Sequence, residues 1–463
     1  MNKLKFTNLI FIFLLVSLLI ELKWLTFENI SIQNLKISIL FSVIIFLVCI
    51  INWIKIKKNF ISAYSFFLIC FFLFMFGQDV LYLLDIDYNG LNIYDLNYST
   101  ELLFKSNIFC TISMLFIHAG VLFSRKFKFI FFSKKRIFFK TINKKSYYYT
   151  GLFLLIISIL PHLLYMVDVI RVGIGMGYTF LYKEQIGSSL NIFEGFFYIS
   201  LFLLAIGIKN IKIKKVLTLF PLIDVVIYLI AGSRGNAIPI LFAVILFYNQ
   251  NIKKIESREK YKIIVVMLLV IIFVPVISIY RVDKSTTFLD LVKSFLLGDN
   301  SIISQLFGEM GGSKYTLIEC MKLIPSKIDY MNGITYLGSI IDCIFPSFIV
   351  SSQKLGITVW LGSWLQDILN LSYGPGFAIT SEVYVNFGYY GLGLFLFLGI
   401  IIYNFLEKEN KIHNFRNVCS PILFIYLSTY IRGQSIDTFT KIFIYLIIPF
   451  LILKLIDLLV KKD

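Results

Sequence analysis

Apolar stretches of roughly 17 to 25 residues, the length a helix needs to cross hydrocarbon, recur along the whole chain between polar connections. Twelve are predicted as transmembrane helices, at approximately 6–22, 35–54, 60–84, 102–124, 147–170, 193–208, 216–231, 236–250, 263–280, 383–405, 418–431 and 439–460. No small-residue cleavage site follows the first, which therefore reads as a span and not as a signal peptide. One connection breaks the rhythm. Residues 281–382 form a loop of about a hundred residues, a length that is unusual without a function. Its apolar pieces at 288–297, 315–323, 334–348 and 358–369 predict short helices lying at the outer interface. Pro325, Pro346 and Gly374-Pro375-Gly376 punctuate them. A true span over 334–350 is the alternative. The expected fold is an all-α polytopic integral membrane protein, one domain over 1–463, with about twelve transmembrane helices and this one long extracytoplasmic loop.

Composition agrees, since 58% of the 463 residues are hydrophobic and mean hydropathy is +0.83, which excludes a soluble globular domain. The net charge of +17 invites a nucleic-acid partner, but its distribution argues against one. Basic clusters at Lys55–Lys58, Arg125–Lys145, Lys209–Lys215, Lys253–Lys262 and Lys408–Arg416 all fall on one side when the spans alternate. That satisfies the positive-inside rule and places both termini in the cytoplasm. The Phe-interleaved run Arg125–Lys145 also suits anionic lipid. Cys320 and Cys343 share the outer loop and are the one pair placed to oxidise, although spacing does not decide it. His118, His162 and His413 make no ligand spacing, so a zinc site is not expected.

Three arginines interrupt the charge pattern. Arg234 in Gly232-Ser233-Arg234-Gly235, Arg281, and Arg432 in Arg432-Gly433-Gln434 each end an apolar run on the outer side. Arginine stays charged, binds phosphate through a planar fork and is costly near lipid, so a cluster of this kind points to an anionic ligand. Interfacial snorkelling is the structural alternative for each. Gly232 and Gly235 allow a tight hairpin, and the helix that follows offers free N–H groups to an anion. Glu309, within Phe307-Gly308-Glu309-Met310-Gly311-Gly312, is an acid among apolar and glycine neighbours. Buried there, it would gain the raised pKa a general base needs; a solvated loop acid is the alternative. Asp290, Asp299, Glu382 and Asp437 compete for the role. Asp85-Ile86-Asp87, preceded by Asp79, is a weak candidate for holding a metal on a sugar diphosphate. No GxxxxGK[ST] is present, so nucleotide hydrolysis through a P-loop is excluded.

The ordered set Ala231-Gly232-Ser233-Arg234-Gly235, Tyr280-Arg281, Glu309-Met310-Gly311, Pro325 and Gly333-Ile334-Thr335-Tyr336-Leu337 resembles the O-antigen polysaccharide polymerase (Wzy-type) family. Gly374-Pro375-Gly376-Phe377, Glu382-Val383-Tyr384, Asn386-Phe387-Gly388 and Tyr430-Ile431-Arg432 continue it, so the likeness covers roughly 150–450. The resemblance implies a glycosyltransferase in the bacterial cytoplasmic membrane. It would move a growing glycan from undecaprenyl diphosphate onto the next lipid-linked repeat unit at the outer face, for O-antigen, capsule or exopolysaccharide. It implies no metal and no cofactor. Partners would be undecaprenyl-diphosphate-linked oligosaccharides and membrane lipids, with a flippase and a chain-length regulator as candidate protein partners. Arg234, Arg281 and Arg432 would stabilise the departing diphosphate, and Glu309 would deprotonate the acceptor hydroxyl. Ser233, Tyr336 and Glu382 complete the expected substrate contacts. Tyr315, Trp360, Trp364 and Tyr384 are further aromatics for sugar stacking, with interfacial anchoring as the alternative.

Two other functions fit the same span count. A lipid-linked oligosaccharide flippase is expected to carry charge inside its spans, where this chain shows few besides Asp168 and Asp224. An O-antigen-ligase-like glycosyltransferase would need the same arginines and base and differ only in its acceptor.

Overall fold

The computed structural model describes residues 3–27, 30–88, 90–127, 142–175, 191–231, 233–255, 259, 302–345, 347–407 and 415–461, and every regular element among them is helical. The first half holds α1 (Lys3–Trp24), α2 (Ile32–Lys57), α3 (Ala63–Leu83), α4 (Thr100–Phe127), α5 (Lys144–Gly175), α6 (Asn191–Glu194), α7 (Phe197–Gly207), α8 (Ile211–Leu219), α9 (Leu222–Ile230) and α10 (Arg234–Asn251). The second half holds α11 (Ile302–Gly311), α12 (Tyr315–Leu323), α13 (Ile334–Ile344), α14 (Leu361–Leu369), α15 (Ile379–Phe387), α16 (Gly393–Ile402), α17 (Phe415–Tyr430), α18 (Ser435–Ile442) and α19 (Ile448–Val460).

Among the described residues six helical stretches are long and apolar enough to cross a bilayer: Ile32–Lys57, Ala63–Leu83, Thr100–Lys126, Lys144–Val172, Ile379–Glu407 and Ser435–Val460. The predicted span 263–280 and the loop piece 288–297 lie outside the described residues. The run 216–231 is not one helix but the meeting of α8 and α9 at Pro221, whose ring cannot continue the preceding turn. Of the loop pieces, 315–323 is α12, and α13 and α14 occupy 334–348 and 358–369 in part. Helix α11 was not expected.

Packing divides the chain into two compact units. One comprises Met1–Phe129, Ile303–Lys408 and Tyr430–Thr440. In it α4 crosses α16 where Gly120 and Gly399 face each other. A Cβ on either would meet carbonyl oxygen at 2.1 Å, so only hydrogen lets the backbones approach this closely. Helix α11 docks on α3 in the same manner: a Cβ at Gly77 would lie 2.3 Å from the Phe307 carbonyl and 3.0 Å from the Gly311 Cα. Beside this contact Lys314 Nζ and Asp79 Oδ2 form a buried ion pair at 2.7 Å, and the Tyr94 hydroxyl donates to the other Asp79 oxygen at 2.5 Å. At the opposite end of α3, His118 is buried between the Tyr64 hydroxyl at 2.8 Å and the Asn52 amide at 3.1 Å. Cys320 and Cys343 are both free thiols.

The second unit comprises Ile130–Ile302, Glu409–Thr429 and Lys441–Asp463. Helix α5 runs along α6 and α7, while α9 packs on α10. Met166 and Val169 of α5, Val225 and Tyr228 of α9, and Ala237 and Ile240 of α10 form one buried cluster. Asp457 of α19 accepts hydrogen bonds from the Ser146 hydroxyl and the Asn143 amide, each at 2.9 Å.

Candidate active site

Several motifs scattered through the second half of the sequence meet around one carboxylate of the first unit. Glu382, in the first turn of α15, is fully buried. Its oxygens accept the Ser435 hydroxyl at 2.5 Å, the Ser435 amide at 2.8 Å and the Tyr430 hydroxyl at 3.3 Å. The Ile379 amide donates to the Ile431 carbonyl at 3.3 Å, so α15 and the turn 430–435 are tied twice. One turn on, Asn386 gives its side-chain amide to Thr335 at 2.7 Å and receives the Gly333 amide at 3.0 Å. Gly333 needs its left-handed backbone (φ 82°) to open α13 beside that amide. Ser339 of α13 closes the circle through the Ser435 hydroxyl at 2.8 Å. Tyr336, half-buried, lies nearly parallel to the Phe387 ring.

The tied turn presents Arg432. Its side chain is exposed and has no hydrogen bond or ion pair to another described residue. Next to it the Gln434 side-chain oxygen accepts the Gly362 amide at 3.2 Å, which holds the start of α14 against the turn. Trp360 stands exposed at that helix start, whereas Tyr315 and Tyr384 are buried and offer no open ring face to a sugar. Glu382 is likewise turned inward: its oxygens accept three hydrogen bonds from Ser435 and Tyr430, which tie it to the arginine-bearing turn.

Glu309 departs from expectation. It is exposed on α11, so the apolar burial that would make it a strong base is absent. The reason lies in helical periodicity. Gly308 and Gly311, three apart, occupy the face against α3 and Tyr88, which sends Glu309 to another face. Of the acidic motif, Asp85 meets Lys36 at 2.7 Å at the surface, and Asp79, which precedes the Asp85-Ile86-Asp87 pair, is committed to Lys314.

In the second unit α10 begins at Arg234, as the hairpin motif requires, with Ser233 at the cap position. Ser233 is buried. Its amide donates to the Tyr228 carbonyl at 2.7 Å, and its hydroxyl accepts the Asn236 side chain at 3.1 Å without capping the helix. The Arg234 side chain and the whole of Arg281 lie outside the described residues. Gly235 has no neighbour within 4 Å of where a Cβ would stand. Packing therefore does not require glycine here. Gly235→Ala is expected to leave thermal stability within about 0.5 kcal/mol and to lower polymer synthesis only if substrate approaches this backbone. Melting and glycan length measured together separate the two effects.

Sequence reasoning missed Ser435 and Gln434, whose only signal was their place just after Arg432. No curated protein and no solved structure matches the chain significantly. The family model for O-antigen polysaccharide polymerase Wzy matches residues 7–463, nearly the whole chain, so this multi-pass membrane protein belongs to that family and is a polysaccharide polymerase.

Proposed function

We propose that the protein joins undecaprenyl-diphosphate-linked oligosaccharide repeat units at the outer face of the bacterial cytoplasmic membrane. The acceptor sugar hydroxyl attacks the anomeric carbon of the donor glycan. The bond from that carbon to phosphate oxygen breaks, and the diphosphate leaves with the electron pair. The observation that carries this reading is Arg432, an exposed guanidinium without a described partner on a turn held by a buried carboxylate. A fixed cation, arranged before the reaction, stabilises charge that develops on the leaving group without reorganising at that moment. The one-sided distribution of Lys and Arg supports the outer face, because Arg432 falls opposite the basic clusters. Arg234 and Arg281 share that side by the same pattern, and we assign them the same diphosphate-binding role.

The test is a glycan gel from the host lacking the gene, complemented with wild type, Arg432→Ala or Arg432→Lys at matched protein levels. Arg432→Ala is expected to slow chain extension by about 10²–10³ and to collapse the long-chain ladder, by analogy with loss of one electrostatic donor. Arg432→Lys keeps the charge but not the fork and is expected to fall between. If the gene's loss leaves repeat units trapped on the inner leaflet, the outer-face reading is wrong.

A further inference from the structure

Buried inside the second unit is a cluster that none of the sequence motifs contains. His162 of α5 is sandwiched between two carboxylates from separate segments. Its Nδ1 lies 3.2 Å from Glu194 Oε1 of α6, and its Nε2 lies 3.2 Å from Asp224 Oδ2 of α9. The imidazole is stacked on Phe197 at 3.7 Å between ring centroids, which fixes its plane. Pro161, immediately before it, removes one backbone hydrogen bond of α5. The His162 and Asp224 side chains are only 2% and 4% exposed, whereas Glu194 reaches 18%. Glu194 is thus the one member of the three that an outside molecule can touch.

The cluster is incompletely satisfied. The contact to Asp224 Oδ2 has ion-pair distance without hydrogen-bond alignment, and the buried Tyr198 hydroxyl also lacks an aligned partner among the described residues. Burying such groups is costly, and ionisable side chains inside a membrane-spanning bundle point to a functional site. Other titratable groups facing it are Tyr165 of α5, Tyr228 of α9, Tyr426 of α17 and Tyr445, the last in the segment before α19. Tyr228 also accepts the Ser233 amide through its carbonyl, which connects the cluster by one residue to the start of α10 at Arg234.

We propose that Glu194 is the general base of glycosyl transfer, with His162 and Asp224 as the positioning residues that orient and charge-balance it. The inference rests on the polymerase reading given above. In the step, Glu194 takes the proton of the acceptor hydroxyl as the oxygen bonds to the anomeric carbon. The carbon–oxygen bond to the diphosphate breaks with its electron pair on the departing oxygen. His162 holds one Glu194 oxygen, leaving the other for the hydroxyl, and Asp224 fixes the imidazole from its far side. This is the arrangement in which a base is oriented by a second group and that group by a third.

The test uses the full-length protein in membrane vesicles supplied with lipid-linked repeat units, with initial rates of chain extension measured across pH. Wild type is expected to lose rate on the acid side as the base takes up a proton. Glu194→Gln is expected to fall by about 10²–10⁴ at the wild-type optimum, the usual contribution of a positioned proton acceptor. Glu194→Asp, which keeps a carboxylate at a different reach, is expected to retain part of the rate and to move the acid limb. His162→Gln is expected to move that limb as well. A wild-type rate in Glu194→Gln overturns the proposal, as does a lowered rate in Glu194→Asp and His162→Gln with the acid limb unmoved, the pattern of a purely structural cluster. If Glu194→Gln does not accumulate, the acid limb of Glu194→Asp decides alone: moved supports the assignment, unmoved overturns it. If wild type itself extends no lipid-linked glycan, the polymerase reading fails and this assignment falls with it; if only the variants match wild type, the reading stands and Glu194 is not the base.

Discussion

Asp79→Leu is expected to destabilise the protein by about 3–5 kcal/mol, the range found when one partner of a buried ion pair is removed. The Asp79 and Lys314 side chains are 0% and 1% exposed, so neither can recover solvation when the other is lost. Lys314→Met should cost a similar amount. The double variant Asp79→Leu with Lys314→Met should recover most of the loss, because replacing a whole buried pair by apolar groups is often close to neutral. What remains is the Tyr94 hydroxyl, which loses its acceptor at a cost of about 1–3 kcal/mol, so adding Tyr94→Phe should close the gap. Denaturation in mixed micelles across these four proteins is the measurement. Wild-type stability in Asp79→Leu would show that the pair contributes nothing net. The pair matters beyond stability because it fixes the segment after Gly311 to α3, and with it the orientation of α11.

Glu382→Ala is the second large effect, also about 3–5 kcal/mol, since the Ser435 amide, the Ser435 hydroxyl and the Tyr430 hydroxyl all lose a buried acceptor together. Glu382→Gln keeps one acceptor oxygen but turns an amide donor toward the remaining donors, and should cost roughly 1–3 kcal/mol. The functional consequence follows from the turn. With residues 430–435 loosened, Arg432 is no longer held in place, and under the diphosphate-binding role proposed for it chain extension should fall in both variants even where protein accumulates. Melting temperature and glycan ladder, read from the same membranes, test this. A Glu382→Gln protein with normal ladder length would remove the clamp from the mechanism.

The two effects show how far local pattern reaches in this chain. Helix α12 was legible at its ends, 315–323, because an apolar run lies between the glycine pair before it and Pro325 after it. The break of 216–231 had its cause in plain view at Pro221, yet hydropathy averaged over the window hid it. Glu309 was read from its neighbours' apolarity, which does not say which helical face those neighbours take. Once Gly308 and Gly311 claim the face on α3, the acid between them is turned away. Glu382 was legible as a competing acid and as part of the motif Glu382-Val383-Tyr384, but its partner Ser435 carries no sequence signal, since a serine after a glutamine is an ordinary loop residue until something buried needs its proton.

What the sequence determined by itself is the class: a multi-pass helical membrane protein whose apolar stretches alternate with clustered basic residues. These follow from terms that act residue by residue, the transfer free energy of apolar side chains and the cost of moving charge into lipid. Which polar groups meet was decided only by the tertiary structure. His162, Glu194 and Asp224 lie on three helices, and the spacing between them encodes nothing. A buried charge is tolerated only when packing brings it a partner, so the identity of that partner is a property of the folded chain and not of any window along it.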